Sequence, residues 1–230
     1  PIQAVFHSSG GGYTEAASAV WGKDIPYLQA VPDYDQDSPK FSWNRVFTKV
    51  QLTRLLSQGG YELGDLQGIR LSARTAPPMR WTPDRGTSGR VKRMTFVGSK
   101  KSITLTGSQV RSLLDLDSAL FDIRIGLERP KELDVTITNG YGYPIGKKTI
   151  PISGDKKSGT EGASVGDMRL FTNVDGEKVI FTGNGFGHGV GLSQWGARGM
   201  ALQKNKRGKH NDYKTILSHY YQGITVKQVY

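Results

Sequence analysis

The sequence predicts an α+β fold, with clustered, mostly antiparallel strands, a few short helices and a glycine-rich groove. Three observations carry that expectation. Strand-like segments follow one another without a helix between each pair, which argues against a βαβ wind. Helical spacing appears only over short stretches. Glycines concentrate near both ends, at 8–12 and at 183–191, where the backbone can approach other groups closely.

The elements follow in order. Ile2 to Phe6 reads as a short apolar strand, and Ser8 to Gly12 as a turn. Thr14 is placed to cap a helix through Ala16–Val20, with Glu15 in its first turn. Tyr27 to Lys40 carries Pro26 just before it and Pro32 and Pro39 within it, so it reads as a loop; its acidic group Asp33, Asp35 and Asp37 is expected in solvent. Phe41 to Thr48 is a strand. Val50, Leu52, Leu55 and Leu56 repeat at helical spacing until Gly59-Gly60 stops them. Residues 66–106 alternate in strand fashion, with Gly98 to Lys101 as a hairpin turn and Thr75 to Gly89 as a longer connection. Ser108 is placed to cap a helix through Val110–Leu114, and Phe121 to Leu127 is a strand. Residues 138–166 are rich in Gly, Ser and Lys and read as an exposed loop or insertion, with a strand near Thr149–Ile152. Lys178 to Thr182 is a strand, and Gly183 to Gly191 a glycine loop. Ser193 to Gln203 and Asp212 to Tyr221 are helices, joined by the basic connection Lys204–His210.

The 230 residues fit one large domain or two small ones. The reading is a single domain over 1–230, with a basic, β-rich middle part near 61–135 as a candidate subdomain. With 36% hydrophobic and 22% charged residues the chain can bury a core, which excludes general disorder. No apolar run approaches the ~18 residues of a spanning helix. The absence of cysteine excludes disulfides, Cys-ligated zinc and thiol catalysis, and it suits an exported protein. The chain opens at Pro1 without an initiator Met or an apolar leader, as expected of a processed product.

The net charge of +11 is unevenly spread. Residues 1–40 carry two basic against five acidic side chains, a net −3; residues 41–110 carry twelve against three, a net +9; residues 191–230 carry seven against one, a net +6. The basic stretches 41–110 and 198–209 suit an anionic polymer such as a cell wall, a membrane surface or nucleic acid, and equally a solubilising surface. No recognisable RNA- or DNA-binding motif accompanies them, so no nucleic-acid partner is expected.

Three segments can carry chemistry. In GNGFGHGVGLSQWGARGMA, residues 183–201, alternate glycines leave one side of the chain bare, and the helix that follows has free N–H groups for an anion or a sugar oxygen. The same pattern also serves as a tight structural turn with His188 in the core. No βαβ unit surrounds Gly185-Phe186-Gly187, which argues against a dinucleotide site. In FHSSGGGYTEAASAVWG, residues 6–22, His7, Ser8, Ser9, Thr14 and Glu15 flank three glycines. Glu15 can act as acid, base or helix-terminal anion, and the last role lowers its pKa, the wrong direction for an acid. No GxSxG elbow holds Ser193, which argues against a serine hydrolase. In YKTILSHYYQG, residues 213–223, the aromatic rings can stack on sugars or fill the core.

Taken together the segments resemble the stage II sporulation protein D family, also called the SpoIID/LytB domain. The matching text is FHSSGGGYTE with Val20-Trp21-Gly22, Tyr27-Leu28, Asp33, Phe41 and Trp43, then GFGHGVGLSQWGARGMA, Ile216-Leu217 and His219-Tyr220-Tyr221-Gln-Gly. The resemblance implies an exported, extracytoplasmic protein acting on peptidoglycan. Family members cleave glycan strands stripped of stem peptides as lytic transglycosylases, and relatives are described as enhancers of an amidase partner. Such cleavage protonates the glycosidic oxygen while the sugar's own 6-hydroxyl closes on the anomeric carbon. The family's proposed catalytic glutamate lies in a helical segment ahead of the first matched strand, so the main acid is expected upstream of Pro1, on a segment that can remain bound as a partner. Glu15 is the candidate within this chain. His7, Ser8, Ser9, Thr14, His188, Ser193 and Gln194 are the candidate substrate-binding residues; His7, Glu15, His188, Ser193 and Gln194 are expected at one groove, with Trp195 and Tyr220 behind it. Some members hold zinc through His and Cys near the first motif; here the text is His7-Ser8-Ser9 without Cys, so no metal or other cofactor is expected.

Overall fold

A computed structural model describes residues 1–127, 132–138, 144–151, 164–204 and 208–227; for 132–138, 144–151 and 164–165 the account is of the backbone alone. In chain order the elements are β1 (Phe6–His7), α1 (Ala17–Trp21), β2 (Ser42–Thr48), α2 (Lys49–Gln58), β3 (Leu66–Arg70), β4 (Arg93–Gly98), β5 (Ser102–Thr106), α3 (Gly107–Leu113) and β6 (Phe121–Leu127). They continue with β7 (Glu132–Thr138), β8 (Pro144–Pro151), β9 (Ser164–Val165), β10 (Met168–Leu170), β11 (Glu177–Asn184), β12 (Leu192–Ser193), α4 (Gln194–Leu202) and α5 (Tyr213–Tyr220). The fold is α+β, and its strand pairs are antiparallel except β1 with β12.

Two sheets share the main apolar core. One runs β5-β4-β3-β10-β9 and the other β2-β11-β6. Alternation along β6 turns Phe121, Ile123 and Ile125 inward, and along β11 Val179 and Phe181. Phe121 and Phe181 meet edge to face with ring centroids 5.3 Å apart. Helix α2 closes one side with Leu52 and Leu56, fully buried as its helical spacing predicts. Its start is fixed by a capping box, in which Thr48 accepts from the Gln51 N–H and the Gln51 side chain accepts from the Thr48 N–H.

Several boundaries differ from the sequence expectation. The strand expected over Ile2 to Phe6 is only Phe6–His7, because its partner β12 is two residues long. Helix α3 is capped by Thr106, not Ser108: Thr106 lies one residue before the first helical N–H groups and forms a capping box with Gln109. Thr14 caps no helix. Helix α1 starts at Ala17 with Ala16 as its uncapped N-cap, while the Thr14 hydroxyl donates to the Val31 carbonyl and accepts its N–H. Glu15 therefore precedes the helix and lies outside its first turn. Within 138–166, expected as a loop, β8 extends the strand foreseen near Thr149–Ile152 and pairs with β7; residues 139–143 and 152–163 lie outside the described residues. The Lys204–His210 connection likewise includes 205–207, outside the described residues.

Candidate functional site

The two glycine-rich segments pair with each other. Phe6 and His7 lie beside Leu192 and Ser193 in parallel register. Ser9 and Phe186 exchange both backbone hydrogen bonds, at 3.1 and 2.9 Å, and the Glu15 N–H donates to the Gly189 carbonyl at 2.7 Å. Gly189 has φ +84°, and a Cβ there would stand 2.1 Å from the Arg90 Cζ. Only glycine lets the segment lie flat on that guanidinium.

Beneath this pair is a polar core. Arg90 is buried, and its Nη atoms donate to the carbonyls of Tyr13 (2.9 Å) and Gly10 (2.7 Å) and to the Ser88 hydroxyl (3.2 Å). Burial lowers its pKa to about 10, against the pull of Glu15, Asp33 and Asp35. Glu15 is fully buried. Its Oε1 accepts from the N–H groups of Ala16 (3.0 Å) and Thr87 (3.1 Å), and its Oε2 from the N–H (3.0 Å) and hydroxyl (2.6 Å) of Ser88.

Asp33 and Asp35, expected in solvent, are buried instead. The glycine turn supplies their donors. Asp35 accepts from the Ser9 hydroxyl and from the N–H groups of Gly11 (2.7 Å) and Gly12 (2.9 Å); Asp33 accepts from Gly10 N–H (3.0 Å), Tyr34 N–H (2.9 Å) and the Tyr220 hydroxyl (2.7 Å). Burial and the neighbouring Asp35 charge raise the pKa of Asp33, opposed by its hydrogen bonds from Tyr220 and Ser193.

A cleft of about 380 Å³ opens above this core. Trp21, Gly187 and His188 lie along it with Lys92, Thr106 to Ser108 and Arg111, and Arg90 forms part of its wall. Trp21 and His188 rings stand 5.4 Å apart, as do His188 and His7. The Val190 N–H donates to His188 Nδ1 at 3.1 Å, so Nε2 carries the proton and donates to the Phe6 carbonyl at 3.0 Å. His7 lies behind it, with Nδ1 at 3.1 Å from the Val190 carbonyl and Nε2 buried without a partner. Burial, with the Arg90 charge, lowers the pKa of both histidines, most strongly that of His7. No Asp or Glu among the described residues lines the cleft.

The structure thus brings the backbones of 6–15 and 186–195 together but spreads the side chains. His188 faces the cleft. His7, Ser9 and Thr14 point into buried bonds, and Ser8 presents its carbonyl to the Trp195 N–H. Ser193 caps α4, Gln194 is exposed, and Glu15 turns toward Thr87 and Ser88. Tyr220 is fully buried, whereas Trp195 is half-buried under Arg198. Sequence reasoning missed Arg90, Lys92 and Arg111 as wall residues; Trp21 was visible only as part of a motif. Among the described residues no three His, Asp or Glu side chains gather to hold a metal ion.

Residues 28–146, just over half of the chain, match the family described as "Domain of unknown function (DUF8618)". Two proteins of Bacillus subtilis align over nearly all of it. An amidase enhancer is 28% identical across 98% of this chain and 30% of its own length. Stage II sporulation protein D is 28% identical across 99% of this chain and 46% of its own length. An uncharacterized protein of Brachyspira hyodysenteriae is 52% identical over 48 residues, 21% of this chain and 11% of that protein. The chain spans less than half the length of each of these relatives.

Proposed function

The chain belongs to the DUF8618 family and to the stage II sporulation protein D family, and on that premise we propose that its cleft binds peptidoglycan glycan strands outside the cytoplasm for lytic-transglycosylase-type cleavage. The observation that supports this reading is the cleft that joins Trp21 and His188 to Lys92 and Arg111. An indole beside cationic side chains suits a sugar polymer bearing carboxylates, with stacking on the ring and charge attraction at the rim.

In the proposed reaction the anomeric C1–O bond breaks and the leaving oxygen takes a proton from a carboxylic acid. The C6 hydroxyl oxygen bonds to C1 and gives its proton to the carboxylate so formed, leaving a 1,6-anhydro end. Burial lowers the pKa of His188, which favours its neutral form, and both its nitrogens are committed to backbone. It is thus suited to hold the cleft's shape. Glu15 is ill suited to donate, since both its oxygens are occupied by four donors. With Glu15 set aside, we take the acid from the helical segment that the resemblance to the stage II sporulation protein D family implies ahead of β1.

The lack of a carboxylate along the cleft among the described residues also favours a second reading, a non-catalytic module that holds glycan and stimulates a wall amidase, in keeping with the amidase enhancer's name. The test incubates peptidoglycan stripped of stem peptides with this chain and with a version extended at its amino terminus. Glycan sedimentation with both proteins, and anhydro-muramic products by mass spectrometry only with the longer one, is the expected result. Robust cleavage by the 230-residue chain that Glu15→Gln abolishes would place the acid at Glu15 instead.

A further inference from the structure

A second cavity, of about 340 Å³, adjoins the first along helix α1. Ser18, Ala19 and Lys92 line both cavities, so the two meet across them. The far wall of the second is the loop that carries Met79, Arg80 and Trp81. Trp81 is 83% exposed, the most exposed large apolar side chain among the described residues.

The loop under Trp81 is held on its carboxyl-terminal side by two buried charged side chains. The Arg85 guanidinium donates to the carbonyls of Ser72 (2.6 Å), Gly89 (2.8 Å) and Phe121 (2.8 Å) and pairs with Asp122 at 3.1 Å. Glu15 takes the N–H groups of Thr87 and Ser88. The Met79 N–H closes the loop on the Thr87 carbonyl at 2.8 Å. Two buried charged side chains thus hold the base of a loop whose tip shows an indole to solvent. Arg80 and Lys92 on the same cavity make no side-chain hydrogen bond or ion pair among the described residues. An amphipathic ring on a fixed base loses little entropy when a flat partner stacks on it.

We propose that the Met79–Ser88 loop forms a second sugar subsite with Trp81 as its stacking platform, so that a glycan strand runs along α1 from Trp21 to Trp81 past Lys92. This rests on the glycan-binding reading of the first cleft and adds that the protein grips the interior of a strand. Glu15 then serves as the positioning residue for this platform, through its hold on Thr87 and Ser88.

The probes are the disaccharide and the hexasaccharide of β-1,4-linked N-acetylglucosamine, titrated calorimetrically against the intact chain. The hexasaccharide is expected to bind roughly tenfold tighter than the disaccharide, the size of one good aromatic contact. Trp81→Ala, at an exposed site that does not affect folding, should remove that gain and leave the disaccharide unchanged. Glu15→Gln should do the same, whereas a general folding defect would weaken both sugars. An unchanged hexasaccharide affinity in Trp81→Ala, with both sugars weakened by Trp21→Ala, overturns the second subsite and leaves the first cleft standing. A disaccharide weakened by Trp81→Ala as much as the hexasaccharide overturns the two-subsite arrangement. Failure of both sugars to bind overturns this inference, whereas sedimentation with stripped peptidoglycan, whose glycan bears carboxylates, decides the glycan reading of the first cleft.

Discussion

Between β3 to β6 and β11, the buried side chains are those of Leu56, Phe96, Phe121 and Phe181, whereas the region where the glycine segments meet buries Glu15, Asp33, Asp35 and Arg90. The apolar clusters at that end are small: Ala17, Leu28, Val190 and Tyr221 in one, and Val31, Met200 and Tyr220 in another. The two sheets pack on each other through non-directional apolar burial. The glycine end is held by directional bonds from backbone N–H groups to carboxylates, which tolerate little displacement. The cleft sits on the second kind of support, so its walls keep fixed positions without a thick core behind them.

The contrast predicts where substitution is most damaging. Arg90→Met should cost about 3–5 kcal/mol, because it leaves buried carboxylates without their cation. The apolar counterpart, Leu56→Ala, should cost about 2–5 kcal/mol through its cavity. Urea denaturation measures both, and an Arg90→Met loss below about 1 kcal/mol would erase the distinction.

A smaller effect is expected at Gly196 in α4. Gly→Ala inside a helix normally stabilises by about 1 kcal/mol. Here the added Cβ would lie 1.6 Å from Asp33 Oδ1 and 2.2 Å from the Tyr220 hydroxyl. Gly196→Ala should therefore destabilise by about 1–3 kcal/mol, a reversed sign that thermal melting would show.

The smallest effect depends on pH. Burial holds the pKa of His7 well below 6.5 in the folded chain. As pH falls below that unfolded value, the unfolded chain takes up a proton that the folded chain refuses. Stability from this group is complete above pH 6.5 and declines toward the folded pKa, by at most about 1.4 kcal/mol per pH unit. His7→Gln should flatten that part of the stability profile; an unchanged slope would mean that His7 is protonated in place.

The sheets were largely legible because each strand carries its own alternation, as in Phe121, Ile123 and Ile125. Helix α2 was legible from the spacing of Leu52, Leu55 and Leu56. The polar core was not. Asp33 and Asp35 sit in a proline-flanked acidic stretch with every local mark of a solvated loop, and the N–H groups that accept them into the interior come from Gly10 to Gly12. Arg90 likewise has no local sign of burial, since its acceptors are the carbonyls of Gly10 and Tyr13. The motif text marked the segments that meet, but side-chain directions depend on the parallel register of β1 with β12, which no local pattern encodes.

That parallel register also bears on the order of folding. The His7 ring reaches the Val190 carbonyl across 183 positions of chain. Closing so long a loop is entropically costly and slow. During synthesis the middle sheets can begin to assemble while β12 is still inside the ribosome, and the amino-terminal histidine segment waits without its partner. The cleft therefore cannot close until Gly187 and His188 have been made and have met the Phe6–His7 segment.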